Sequence, residues 1–188
     1  MAEMVLFHHT QGLTTGVMAI ANEFRAAGHI VHVPDLYDGE TFADIETGVA
    51  HAEAIGIDVI VDRGVAAVEH LTPELIYGGF SLGALLAQKL TQTRAHARGA
   101  LLYHGGVPTS VFDASWPIGV PLQLHLMDGD EWAELDVAEA LRDEIQDAEL
   151  FVYSGSAHLF ADSSLPDFEP DAARLLEQRT LEFLSRFG

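Results

Sequence analysis

The stretch YGGFSLGALLAQKL, Tyr77–Leu90, joins two unlike patterns at the pentapeptide Gly79-Phe80-Ser81-Leu82-Gly83. Before the join, ELIYGGF (74–80) is a short apolar run that reads as a buried strand. After it, SLGALLAQKLTQTRA spaces its apolar residues as a helix does. A G-x-S-x-G between strand and helix is the setting of a nucleophile elbow, a sharp strained turn that exposes the serine hydroxyl. Such a turn needs small flanks, which Gly79 and Gly83 supply, and Ala84 and Ala87 let the helix approach the sheet. A helix N-terminus also directs N–H groups and the positive end of its dipole at whatever Ser81 attacks. The competing reading of Ser81 is a helix N-cap after a glycine turn.

The same alternation extends in both directions. Upstream, MVLFHH (4–9) and IVHVPDL (30–36) read as strands, separated by the helical pattern TTGVMAIANEFRAAGH with Gly28 as its stop. Residues 42 to 71 read as two helices that break near Gly56. Downstream, GALLYHGG (99–106), VPLQLHLMDGD (120–130) and AELFVYSG (148–155) read as three more strands. WAELDVAEALRDEIQ and DAARLLEQRTLEFLSRF read as helices. Strands that are nearly continuous apolar runs, alternating with helices, predict a doubly wound, mainly parallel sheet of about six strands in an α/β domain spanning 1–188. Right-handed crossovers bring the C-terminal ends of all the strands to one edge, where open α/β sheets bind ligands.

The residues just after strands therefore carry the chemistry. A serine hydroxyl needs a base, and SGSAHLFAD after the sixth strand offers His158. LMDGDEW after the fifth strand offers Asp128 and Asp130 to orient that histidine. Ser, Asp, His is the chain order of α/β-hydrolases. An oxyanion hole needs two N–H donors. The Leu82 amide is one, and the loop HHTQG after the first strand supplies the other, from Thr10 or from Gln11. His8 and His9 are candidates to line the site. Tyr103, His104, Trp132 and Phe160 follow the same strands and are candidates for a small apolar pocket, with core packing as the competing reading for each. No large lid is expected, and Gly105–Gly119 is at most a small cover.

Composition narrows the partners. The chain has 188 residues, 48% of them apolar, and a formal net charge of -20. That charge opposes binding to nucleic acid or to anionic membrane surfaces. No cysteine is present, so disulfides, thiolate metal sites and a thiol nucleophile are all absent. His8, His9, His104 and His125 lie in or after strands without metal-binding spacing, and no metal or cofactor is expected. The N-terminus lacks the basic and long apolar regions of a signal peptide, and a cytoplasmic location is the expectation.

AGHIVHVPDLYDG (27–39), GGFSLGA (78–84), YHGG (103–106), PLQLHLMDGDEW (121–132) and YSGSAHLFAD (153–162) together resemble the dienelactone hydrolase family, in a short form of the α/β-hydrolase fold. The resemblance runs nearly end to end. It implies strand order 2-1-3-4-5-6, Asp130 as the acid and His158 as the base. It also marks departures. Ser81 stands where the namesake enzymes carry a cysteine, and His9 where they carry a glutamate. Asp162 or a neighbour stands where they carry an arginine for the substrate carboxylate. Arg63 is the only basic residue not clearly placed away from the site. A chain with nine basic residues and no cation at that position is matched to a small neutral ester, lactone or thioester. The rival readings are a non-catalytic binding or scaffold protein on the same fold, and an acyl transferase using the same three residues.

Overall fold

The computed structural model describes residues 1–188. Its strands are β1 (Glu3–Phe7), β2 (Ile30–His32), β3 (Ile76–Phe80), β4 (Gly99–Tyr103), β5 (Leu122–Met127) and β6 (Ala148–Tyr153). Its helices are α1 (Thr15–Ala26), α2 (Ile45–Ile55), α3 (Ile57–Val68), α4 (Leu82–Thr93), α5 (Leu135–Glu144) and α6 (Pro170–Ser185). All six strands lie in one sheet, order β2-β1-β3-β4-β5-β6, and every pairing is parallel. The order expected from the resemblance is the order found.

Strand periodicity divides the core in two. Val5 and Phe7 of β1 pack with Tyr77, Leu102 and Leu124 on the face covered by α2 to α5. Met4 and Leu6, the alternate residues, pack with Ile76, Phe80 and Leu101 against Phe24 of α1 and Leu176 and Phe183 of α6. Both faces are thus sealed, which is why the strands read as unbroken apolar runs. β2 has three residues rather than the seven of its apolar run. Pro34 lacks an N–H and cannot continue the ladder. β2 and β6 form the open edges, and arginines contact both. Arg25 donates from Nε and Nη2 to the Val31 carbonyl at 3.1 and 2.5 Å. On β6, Arg179 lies 4.2 Å over the Phe151 ring and Arg186 pairs with Glu149 at 2.8 Å.

The segment from Gly105 to Gly119 does not form a cover over Ser81. Gln88 of α4 holds Val107 through both its N–H (3.0 Å) and its carbonyl (2.6 Å), and Gln92 holds the Thr109 carbonyl at 2.9 Å. The segment therefore runs down the outside of α4. It contains one 3₁₀ turn, Thr109–Phe112.

Candidate active site

The turn between β3 and α4 puts Ser81 at φ 52° and ψ −111°, a backbone conformation that non-glycine residues rarely adopt. Packing on both sides enforces it. A Cβ on Gly79 would lie 2.0 Å from the Gly83 carbonyl oxygen, and one on Gly83 would lie 2.4 Å from that of Phe7. The Ser81 N–H is fixed to the Tyr103 carbonyl at 2.8 Å, and its own carbonyl accepts from Ala84 N–H at 2.8 Å. Ser81 makes no side-chain cap bond to α4, so its hydroxyl is not used as an N-cap.

Instead the hydroxyl meets His158. Ser81 Oγ lies 2.8 Å from His158 Nε2, and His158 Nδ1 lies 2.7 Å from Asp130 Oδ2. A carboxylate only accepts, so Nδ1 carries the imidazole proton and Nε2 is left free to accept one. The second Asp130 oxygen accepts the Trp132 N–H at 2.9 Å. His158 and Asp130 are both buried. Asp128 has another task. It accepts the Gly155 N–H at 3.0 Å, and Gly129 N–H reaches the Gly155 carbonyl at 2.8 Å, which binds the loop after β5 to the loop after β6.

Neither the Leu82 N–H nor the Thr10 N–H has a protein acceptor. The Gln11 N–H does, at His9 Nδ1, 3.2 Å away. Thr10 comes close to α2 because Gly48 is bare there: a Cβ would lie 2.6 Å from the Thr10 carbonyl oxygen.

The other candidates divide. Trp132 is 53% exposed, with its ring 6.4 Å from that of His158. His104 is buried at 5.9 Å from the His158 ring, with Phe160 against it at 4.7 Å, so both form the floor under the base rather than an open wall. Neither ring nitrogen of His104 has a partner, and burial drives its pKa well below the ordinary histidine value. Tyr103 is misplaced by the sequence reading. Its ring stacks on Phe80 and its hydroxyl meets Thr180 of α6 at 3.0 Å, which puts it in the core. His9 is likewise enclosed, with Nε2 2.9 Å from Asp162 Oδ2. Asp162 also accepts from Thr14 and from the N–H (2.8 Å) and hydroxyl (2.6 Å) of Ser164. Of the four strand-associated histidines, His8 and His125 are also buried and hydrogen-bonded within the protein.

A cleft of about 240 Å³ opens beside His158, and Ile45, Glu131, Trp132, Ser156 and Asp167 contribute to its walls. No lysine or arginine is among its lining residues. Ile45 was missed because it belongs to the start of α2 and carries no local motif. Arg63 donates to the Leu36 carbonyl at 2.7 Å and to Asp38 at 3.2 Å, bracing the turn after β2.

The model of the dienelactone hydrolase family matches residues 2–188. The chain belongs to the dienelactone hydrolase family. A Bradyrhizobium sp. relative, described as a probable 2-oxo-3-(5-oxofuran-2-ylidene)propanoate lactonase, is 25% identical over 197 residues, covering 92% of this chain and 79% of its own. Among solved structures, a dienelactone hydrolase-like promiscuous phosphotriesterase from metagenomic libraries superposes with a TM-score of 0.80 at 19% identity. That match covers 99% of this chain and 86% of the other. The dienelactone hydrolase from Anabaena variabilis superposes at 0.70 with 18% identity, covering 98% and 86%. This dienelactone hydrolase family member is accordingly a hydrolase of ester or lactone type. No helix is long and apolar enough to cross a membrane.

Proposed function

We propose that this hydrolase cleaves a small uncharged ester, lactone or thioester through an acyl-enzyme on Ser81. The observation that carries the proposal is the unbroken hydrogen-bond chain Ser81–His158–Asp130. His158 Nε2 takes the Ser81 proton as Oγ attacks the carbonyl carbon. The N–H groups of Leu82 and Thr10 receive the developing oxyanion. His158 then gives its proton to the leaving oxygen or sulfur, and the tetrahedral adduct collapses to the acyl-serine. Water enters, loses a proton to His158 and attacks in turn, which restores Ser81 and releases the acid. Asp130 holds the imidazole in the Nδ1–H tautomer and stabilises its charged form.

The lining of the cleft beside His158 supports an uncharged substrate. Glu131 and Asp167 bring negative charge to the cleft and no cation offsets it, so a carboxylate-bearing substrate would be repelled. The test is covalent labelling with a fluorophosphonate, followed by peptide mass analysis and a panel of short-chain esters and lactones. The label is expected on Ser81 alone, and Ser81→Ala is expected to lose on the order of 10⁴–10⁶ in kcat. Undiminished hydrolysis by Ser81→Ala would overturn the reading.

A further inference from the structure

We infer that His8 is a positioning residue for the oxyanion site, holding the peptide between His9 and Thr10 so that the Thr10 N–H faces the start of α4. The inference rests on the acyl-enzyme reading of Ser81. His8 is fully buried, edge-on to Tyr37 with ring centroids 4.9 Å apart, and lies outside the Ser81–His158–Asp130 chain. Both of its ring nitrogens meet main chain. Nε2 lies 3.0 Å from the Leu36 N and Nδ1 lies 2.8 Å from the His9 carbonyl oxygen.

These two partners leave one tautomer. A backbone N–H can only donate, so Nε2 must be bare. A carbonyl can only accept, so the single ring proton sits on Nδ1 and is donated to His9. Burial keeps the ring neutral, with its pKa pushed down to about 4, so the ring does not acquire a second proton at neutral pH. The Gly12 N–H reaches the same His9 carbonyl at 3.0 Å. Two donors thus grip one oxygen.

A trans peptide carries its C=O and N–H on opposite sides. Holding the His9 oxygen therefore fixes the Thr10 N–H in the opposite direction, where it has no protein acceptor. That loop passes directly over the nucleophile turn: a Cβ on Gly83 would lie 2.6 Å from the His8 carbonyl oxygen. A flipped peptide would instead present the His9 oxygen to the developing negative charge. The anchor for His8 is itself anchored, since Arg63 holds the Leu36 carbonyl at 2.7 Å. His9 completes the arrangement by occupying the Gln11 N–H, so that of Thr10 and Gln11 only Thr10 keeps a free N–H.

The test compares His8→Leu, His8→Asn and His8→Gln. An asparagine amide overlaps the Nδ1 position and keeps a donor for the His9 carbonyl. A glutamine amide overlaps the Nε2 position and keeps only the Leu36 contact. His8→Leu and His8→Gln are each expected to lose about 10- to 100-fold in kcat, somewhat less than outright removal of an oxyanion donor. KM should stay within about threefold, because the contact acts in the transition state. The affinity for an alkyl boronic acid should fall by the same factor as kcat, and His8→Asn should recover most of both. Should His8→Leu fail to fold, the Asn and Gln pair decides by itself. Equal activity of the Asn and Gln variants, or a loss of kcat with unchanged boronate affinity, would overturn the role of His8. A wild-type protein that neither labels at Ser81 nor binds the boronate would overturn the acyl-enzyme reading instead.

Discussion

Asp162 forms no part of the hydrogen-bond chain to Ser81, yet it fastens the loop bearing His158 to the loop bearing Thr10. Burial pushes its pKa up, but hydrogen bonds from His9, Ser164 and Thr14 outweigh that and hold it below 3.8. Stability from such a depressed carboxyl is present above the unfolded value and is lost as pH falls through the lower folded one. Asp162→Asn brings an amide N–H against a donor, and should cost about 1–3 kcal/mol at neutral pH. It should also flatten the acid limb of the stability curve below about pH 4, measured by urea unfolding. At this scale the sequence was uneven. Ser81, Asp130 and His158 could be proposed together because each follows a short apolar run and sits among small or turn-forming residues. The bond from His9 to Asp162 spans 153 positions, and no local pattern announces it. Tyr103 misled because position after a strand does not reveal which face its ring takes. Its hydroxyl went to Thr180, on the face opposite α4.

The decisive element is the crossing where β1, β3 and the start of α4 approach backbone to backbone. Gly83 is the contact point, and alanine there would drive a methyl to 2.4 Å from the Phe7 carbonyl oxygen. Gly83→Ala should therefore cost about 3 kcal/mol, at the upper end of overpacking changes, because rigid strand backbone must yield. The same substitution at Gly39 meets no atom within 4 Å and bears only the strain of φ +92°. Thermal unfolding of the two variants should rank them in that order, and activity should fall only for Gly83→Ala. Most elements could be placed from periodicity, since both faces of this sheet are covered and its strands stand out as apolar runs. Their ends could not. The run 30–36 shrank to Ile30–His32: Pro34 marks a stop, but nothing in the side chains shows that Val33 already lies outside the ladder. The path of Gly105–Gly119 depended on Gln88 and Gln92, whose use as backbone clamps is invisible until α4 is in place.

Across the whole molecule, three histidines are held neutral by burial: His8 near pKa 4, His125 near 3, and His104 well below 6.5. Each takes up a proton on unfolding once pH falls below the unfolded value of 6.5. Their contribution is present above that pH and is lost progressively on the way down to the folded values. Unfolding free energy should thus drop between pH 7 and pH 5.5, by about 1 kcal/mol for each of His8 and His125, with His104 acting in the same direction. His125→Gln should remove about a third of the slope in urea titrations across that interval. The arginines at the sheet margins bear on a different property. With nine basic residues in all, the chain commits Arg25 to β2 and Arg179 and Arg186 to β6. In dilute buffer the shared negative charge keeps copies apart. In concentrated salt that repulsion is screened, and Arg25 on the Val31 carbonyl becomes the remaining barrier to strand-by-strand fibrillar growth at the β2 margin.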